Sequence, residues 1–152
     1  MGFEAKAAAL FIDFPIPPSP ATGTAHCREH GKLLWIGGAL PFGEGRIQGK
    51  GRVGLEIGVD QARLAARLAL VQALATVRGH LGTLDRIRQI LTLTGYIASG
   101  SEFQDHAKVF ESATQLLTDL FGGAGLHART LLGVATLPLG ACAQVDLLVE
   151  VK

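Results

Sequence analysis

Two histidines near the amino terminus have the spacing of a zinc-protease motif. His26 and His30 enclose Glu29 in the pattern H-x-x-E-H, which binds zinc when the segment is helical and both imidazoles share a face. The segment lies between Gly23 and Gly31 and is too short for a stable helix. On a strand, the two imidazoles would stand about 13 Å apart. We therefore expect no bound metal.

A glycine-rich segment matches the dinucleotide fingerprint G-x-G-x-x-G at residues 49–54. In nucleotide-binding proteins, this motif follows a strand and opens directly into a helix whose amino terminus binds the phosphates. Here residues 55–58 intervene before the predicted helix. Gly45–Lys50 is also one residue short of a P-loop, and Gly51 stands where a magnesium-binding hydroxyl is needed. The pattern predicts a surface loop, and we expect no cofactor.

Arg129 is the side chain best suited to bind an anionic ligand. It follows a glycine-rich turn and begins a predicted strand in an otherwise apolar carboxyl-terminal region. A guanidinium stays charged and binds a carboxylate through two hydrogen bonds. Spacing alone favours an ordinary surface or ion-paired arginine, so this residue does not predict a site without further evidence.

The elements that must position these residues follow the order β-β-α-β-α-β-β, as judged from hydrophobic periodicity, capping signals and turn residues. Two amphipathic helices with one apolar face each suit packing side by side on one face of a single sheet. We predict one α+β domain over residues 1–152, with a proline-rich arm over 1–22. The predicted elements are strands at 24–29 and 33–36, a helix at 61–81 with one apolar stripe from Leu64 to Val77, a strand at 87–98, a helix after a capping box at 101–104, and strands at 129–135 and 142–151.

The last two strands are predicted to pair as a hairpin that turns at Leu137–Pro138. That register places Leu131 opposite Gln144 and Arg129 opposite Asp146. Residues two apart on a strand point the same way, so all four side chains would share one face of the sheet.

Composition limits the classes of function. Hydrophobic residues make up 48% of the 152 residues and charged residues 18%, a low charge content for a lone soluble monomer. We therefore expect apolar surface to be buried between subunits. The net charge of +1, without a long run of either sign, predicts no nucleic-acid partner. Two cysteines and no bilayer-spanning apolar segment favour a reducing cytoplasm and no membrane partner.

Several segments resemble the RidA/YjgF family. The run from His127 to Pro138, which contains Arg129, resembles the family signature, and Leu34–Pro41 resembles its amino-terminal SGxxP element. The helix that ends at Gly82 and the strand after it also match. The resemblance covers nearly the whole chain, and the arm and the insertion Phe121–Gly125 are similar to a longer branch of the family.

This resemblance implies a fold, an assembly and an activity. The family has the bacterial chorismate-mutase-like α+β fold, a sheet with two helices on one face, and three such sheets form the central barrel of a homotrimer. Ligands bind in clefts between subunits. Characterised members hydrolyse reactive enamines and imines such as 2-aminoacrylate, and older descriptions of the family are endoribonuclease and translation inhibitor.

The resemblance also implies roles for residues of this chain. Arg129 matches the arginine that holds the substrate carboxylate, and Gly38 matches the glycine that lines the cleft. Gln144 stands where a glutamate that positions the attacking water is expected. Four further substrate-binding positions depart from the family pattern: Gly37 replaces Ser, Thr24 replaces Tyr, Leu131 replaces Cys and Glu111 replaces Asn.

Gln144 leaves the function open, because a glutamine orients water but takes no proton from it near neutral pH. One possibility is an enamine and imine deaminase with weak or altered chemistry. Another is a non-catalytic trimer that binds small carboxylate or imine metabolites. The third, an RNA-acting enzyme, is disfavoured by the charge balance and the lack of an aromatic-basic patch.

Overall fold

The computed structural model of the chain describes residues 1–152 and contains one five-stranded sheet. The strands of this sheet are β1 (Cys27–His30), β2 (Leu33–Ala39), β5 (Ile87–Ala98), β6 (Ala128–Val134) and β7 (Ala143–Val151), and β3 (Phe42–Gly43) pairs with β4 (Arg46–Ile47) in a separate hairpin. The helices are α1 (Phe3–Ala9), α2 (Val59–Leu81), α3 (His106–Val109) and α4 (Glu111–Phe121). The predicted fold class is confirmed. None of these helices is long and apolar enough to cross a membrane.

The strand order β1-β2-β7-β5-β6 corrects the predicted carboxyl-terminal hairpin. β5 lies between β6 and β7, and β6 pairs with β5 in parallel. The crossover from β5 to β6 runs through α3 and α4, as a parallel pair requires. The chain between β6 and β7 does not form a tight turn, because the backbone at Gly140 and Cys142 is hydrogen-bonded to the loop that contains Gly49 and Gly51.

The core lies between the sheet and the helices α2 and α4. Alternate residues of β7, from Ala143 to Val151, are buried beneath the helices as predicted. The predicted stripe on α2 is partly wrong, because Leu64 is 71% exposed. Small side chains form much of the buried face of α2 and let the helix approach the sheet closely: Ala62, Ala65, Ala66, Ala69 and Ala73.

The amino-terminal arm is packed onto the rest of the domain. Ala7 of α1 is buried in the core, and the ring of Phe3 meets that of Phe121 edge-on, with centroids 4.9 Å apart. The Glu4 carboxylate accepts hydrogen bonds from the Arg78 guanidinium and, at 2.9 Å, from the Leu84 N–H. The segment after α1 also lies beside α2, because the Arg78 guanidinium stands 5.5 Å from the centroid of the Phe14 ring.

Candidate functional site

Gly38 interrupts the regular pairing of β2 with β7. The register shifts between Ile36 and Ala39, and Gly38 has φ +70°, a left-handed conformation that favours glycine. This backbone directs the Gly38 N–H to Asp146 on β7, where it donates a 2.7 Å hydrogen bond to Oδ1.

Asp146 is fixed from a second side by Tyr96. The Tyr96 hydroxyl on β5 donates a 3.2 Å hydrogen bond to Asp146 Oδ2. Desolvation of the phenol, and then the negative charge of Asp146, raise the pKa of Tyr96 above its ordinary value. The phenol therefore stays protonated near neutral pH and keeps donating. Asp146 is bound between β2 and β5 and does not pair with Arg129 across a hairpin.

Gln144 lies next to this carboxylate on the sheet face that no helix covers, which we call the open face. It stands opposite Tyr96, two residues before Asp146, and is half-buried. We refer to Gly37, Gly38, Tyr96, Gln144 and Asp146 as the β2–β7 cluster.

Arg129 lies on β6, an edge strand of the sheet. In the sheet register Arg129 is paired with Leu93 of β5, and Leu93 is paired with Leu147 of β7. Both leucines are buried beneath the helices. Arg129 therefore leaves the sheet on the helix-covered side. The side chain is exposed, and its Nη1 donates a 3.0 Å hydrogen bond to Thr114 Oγ1 of α4.

Two other expected site residues lie near Arg129. Leu131 points to the same side of β6 and lies beside Gly95, where any side chain would collide with the ring of Phe110. Glu111 begins α4, one turn before Thr114, and its carboxylate is 3.6 Å from the Arg63 guanidinium. We refer to Glu111, Thr114, Arg129 and Leu131 as the β6–α4 cluster.

The two clusters are separated within one chain. β6 lies two inter-strand steps from β7, which carries Gln144 and Asp146, a distance of about 10 Å, and the side chains of Arg129 and of these two residues leave the sheet on opposite faces. The prediction that Arg129, Leu131, Gln144 and Asp146 share one face is wrong. Across the sheet Arg129 is aligned with Leu147, whose side chain faces the helices, whereas Gln144 and Asp146 point to the open face. A small ligand within one chain therefore reaches only one of the clusters.

A cavity of about 420 Å³ lies under the proline-rich arm, and we call it the arm cavity. Thr24, Gly37 and Gly38 all line it, so the structure brings these three expected residues together. Sequence reasoning missed two of its lining residues, Gln72 and Thr76 of α2. The sequence feature that could have identified them is a pair of polar residues, four apart, in an otherwise apolar part of the helix.

The two metal and nucleotide motifs fall on irregular or extended backbone. His26 precedes β1, and its Nε2 is hydrogen-bonded to the Pro18 carbonyl of the arm. No group of three or more His, Cys, Asp or Glu side chains converges in the chain.

Residues 49–54 form a loop, and α2 begins at Val59. The Arg52 guanidinium donates three hydrogen bonds to the Glu56 carboxylate, and these together with the bond from the Arg52 backbone N–H lower the pKa of Glu56 to about 2.

The β2–β7 and β6–α4 clusters stand on a sheet whose order and helix placement match a known family. The family model described as "YjgF/chorismate_mutase-like, putative endoribonuclease" matches residues 24–151. The chain belongs to this family. The resemblance found in the sequence is thereby confirmed, and the match takes in every strand and α2, α3 and α4.

Relatives of this YjgF-family chain include one sequence and many solved structures. Protein TCP17 of Trypanosoma cruzi is 33% identical over 144 residues, which cover 94% of this chain and 90% of the relative. The structure of the protein Atu1372 from Agrobacterium tumefaciens, of unknown function, is 33% identical and superposes with a TM-score of 0.91 over 99% of this chain and 92% of that one.

A more distant YjgF-family structure has been solved with a small ligand. Escherichia coli TdcF with bound serine is 19% identical and superposes with a TM-score of 0.68. The superposition covers 93% of this chain and 98% of that chain. At this identity the likeness is one of fold.

Proposed function

We propose that this YjgF-family chain assembles as a homotrimer and binds small carboxylate metabolites in clefts between its subunits. One observation carries the proposal. Arg129 presents an exposed guanidinium whose hydrogen bond goes to a neutral hydroxyl, while Gly38 and Gln144 lie across the sheet on the open face. A second copy of the chain is what brings a β2–β7 cluster next to a β6–α4 cluster.

The open face of the sheet supports the assembly. Trp35 lies on it opposite Leu148 and is 44% exposed, and Leu132 is 45% exposed on the same face. Large apolar side chains on a surface that no helix covers favour contact with another copy. Three such faces around one axis would form the barrel that is implied by the family resemblance.

The charge of Arg129 supports a carboxylate as the bound group. A guanidinium has five N–H donors, and the hydrogen bond of Arg129 to Thr114 uses one nitrogen. The other donors suit a carboxylate, which accepts two parallel hydrogen bonds. The serine bound to the TdcF relative is also a small molecule with a carboxylate.

We propose that any hydrolysis of enamines by this site is slow. For 2-aminoacrylate, the enamine first becomes an imine, water adds to the imine carbon, and ammonia leaves to give pyruvate. Gln144 can orient that water but cannot take its proton. The neighbouring carboxylate, Asp146, already accepts hydrogen bonds from Gly38 and Tyr96 on both its oxygens. The site is therefore better suited to binding than to chemistry, which favours a metabolite-binding role.

The test of this proposal is a calorimetric titration with pyruvate. Replacing Arg129 by Ala removes a charge-assisted pair worth about 1.5–3 kcal/mol, so affinity should fall about 10- to 150-fold. Arg88→Ala is the matched control, because Arg88 is an exposed arginine on β5 that lies near Glu150. Equal pyruvate affinity for the wild type and Arg129→Ala would rule out the carboxylate clamp.

A further inference from the structure

Glu111 lies one helical turn before the point where α4 contacts Arg129. That contact is the 3.0 Å hydrogen bond from Arg129 Nη1 to Thr114 Oγ1. Residues three apart on a helix have Cβ atoms about 5–6 Å apart, and the side chain of the later residue leans toward the earlier one. A glutamate carboxylate at position 111 is therefore within reach of the Arg129 guanidinium.

A carboxylate paired with Arg129 would compete with the proposed ligand. The guanidinium uses one nitrogen for the neutral Thr114 hydroxyl, and its other donors are those that suit a ligand carboxylate. An internal carboxylate would occupy these donors, and its negative charge would repel an incoming anion. A carboxylate site with a glutamate at position 111 therefore needs a group that holds this glutamate away.

Arg63 of α2 provides that group. Its Nη2 lies 3.6 Å from Glu111 Oε2. Ser112 faces α2, because its hydroxyl donates a 3.4 Å hydrogen bond to the Arg63 carbonyl, whereas Thr114 faces β6. Around the helix Glu111 lies between these two directions, about 100° from Ser112 and about 60° from Thr114. Its carboxylate nevertheless lies on the α2 side, where Arg63 stands.

The Arg63 guanidinium is anchored at two further points. Its Nε donates a 3.1 Å hydrogen bond to the Lys108 carbonyl, and its Nη1 donates a 3.3 Å hydrogen bond to Asp60 Oδ1. The residue is half-buried between α2 and the start of α4. These contacts fix the position of its charge, so Arg63 is a stationary counter-charge for Glu111.

We propose that Arg63 is a positioning residue for the carboxylate site, because it holds Glu111, an internal competitor of the ligand, away from Arg129. The inference rests on the proposed function and adds to it the residue that keeps the guanidinium free. Arg63 acts through Glu111. Without Arg63, the Glu111 carboxylate turns toward Thr114, pairs with Arg129 and closes the site to small carboxylates.

The first test needs no ligand. Arg63→Met removes the charge and keeps most of the length of the side chain. NMR of the guanidinium Nε–H groups follows Arg129, whose signal is assigned by its loss in Arg129→Ala. We expect this signal to move in Arg63→Met and to return in the double variant Arg63→Met/Glu111→Gln. A signal that stays in place in Arg63→Met, or that remains displaced in the double variant, overturns the proposal.

The second test is a calorimetric titration of the same variants with pyruvate. Arg63→Met should weaken binding about 2- to 5-fold, the range of an exposed ion pair, and the loss should shrink at high salt. Adding Glu111→Gln should restore the affinity of the wild type. A purely structural loss at the contact of Arg63 with the Lys108 carbonyl would not be restored, and that result would overturn the proposal.

Arg67→Met is the matched control. Arg67 lies one turn later on α2 and is also half-buried, so its removal takes away the same charge and leaves the contact between Arg63 and Glu111 in place. We expect the pyruvate affinity and the Arg129 signal to be those of the wild type. Equal losses in Arg67→Met and Arg63→Met would show a general effect of positive charge and would overturn the role of Arg63.

The outcomes separate this proposal from the proposed function. If the wild type binds no pyruvate, or Arg129→Ala binds it equally well, the proposed function fails, and the NMR comparison still decides where Glu111 points. If Arg129→Ala loses affinity and Arg63→Met does not, the proposed function stands and the role of Arg63 is overturned.

Discussion

The β2–β7 and β6–α4 clusters differ in how their charges are satisfied. In the first, the Asp146 carboxylate is half-buried and accepts hydrogen bonds from the Gly38 N–H and the Tyr96 hydroxyl. In the second, the Arg129 guanidinium is exposed and donates to the neutral Thr114 hydroxyl. The carboxylate is thus occupied by the protein, whereas the guanidinium keeps donors for a ligand.

This difference explains why binding and chemistry are expected to diverge in this chain. An exposed guanidinium with unused N–H donors can bind any small carboxylate that reaches it. The residues that would activate water, in contrast, are a neutral amide at Gln144 and an already engaged carboxylate at Asp146. The two clusters also belong to opposite faces of the sheet, so their cooperation depends on assembly.

The largest expected effect comes from preventing that assembly. In the proposed trimer, a carboxylate in place of Trp35 would be buried between subunits without a partner, which costs several kcal/mol. We expect light scattering to give a mass near three times 15.9 kDa for the wild type and near 15.9 kDa for Trp35→Glu, with loss of pyruvate binding. Leu64→Glu is the control, because Leu64 is exposed on α2, away from the open face. A monomeric wild type that binds pyruvate would show that one cluster suffices.

The next effect concerns turnover at the β2–β7 cluster. Gln144→Glu introduces a group that can accept a proton from water, and general base catalysis contributes about 100-fold or more. We therefore expect 2-aminoacrylate decay to be accelerated about 100-fold relative to the wild type. Gln144→Met, which keeps the length of the side chain without its polar groups, should be slower than the wild type. Fast wild-type turnover that survives in Gln144→Ala would place the chemistry elsewhere.

Much of the fold could be predicted because the central strands have unambiguous patterns. The predicted strand at 87–98 matches the bounds of β5, and the alternation of the last strand correctly gives the buried and open faces of β7. Both strands lie inside the sheet, where burial beneath the helices imposes a strict pattern on the sequence.

The partner of β6 could not be predicted from that pattern. A short connection after residues 129–135 favours a hairpin, and nothing in the local sequence shows that β5 lies between. The pairing that the local sequence does not reveal is the long-range parallel ladder from Thr92–Ala128 to Ala98–Val134. The site geometry could not be predicted for the same reason. Whether Arg129 and Gln144 point to the same face of the sheet depends on which strand pairs with β6.

The start of the second predicted helix illustrates a different limit. The capping box at 101–104 predicts a helix immediately after Ser101, but the first helical residue is His106 and α4 begins at Glu111. Phe103 instead lies beside Gly54 of the loop and His106, with its ring 5.2 Å from the imidazole. A favourable local cap was thus outweighed by tertiary packing of an aromatic side chain.

A smaller effect is expected from the backbone of Gly38. An alanine at this position would have free space for its Cβ but would be held at φ +70°, which costs about 1–2 kcal/mol for a residue with a side chain. Relaxation to negative φ would avoid this cost but would lose the hydrogen bond to Asp146. We expect Gly38→Ala to lower the free energy of unfolding in urea by about 1–2 kcal/mol.

Gly37→Ala is the matched control for that change. Gly37 also has space for a Cβ but is not in the left-handed conformation, so the free energy of unfolding should change little in this variant. Equal effects of the two substitutions would mean that the left-handed backbone of Gly38 is not what positions its N–H.

The smallest effect tests how firmly Tyr96 holds Asp146. Tyr96→Phe removes one hydrogen bond of 3.2 Å, worth about 0.5–1.5 kcal/mol of unfolding free energy near neutral pH. The pKa of Tyr96 is raised in the folded protein above the ordinary value of 10.0, so the folded state favours the neutral phenol. That stabilisation is fully present below pH 10 and is lost as the pH rises through the folded-state pKa. The wild type should therefore lose stability relative to Tyr96→Phe above pH 10, and the difference should be constant below it.

Tyr96 is the chain's single tyrosine, so tyrosinate absorbance reports its ionisation directly. Asp146→Asn should bring that ionisation to lower pH, because it removes the negative charge that opposes it. A phenol that titrates at its ordinary pKa in the wild type, or at the same pH in Asp146→Asn, would mean that Asp146 is not held by Tyr96 and that its carboxylate is free for ligand or water.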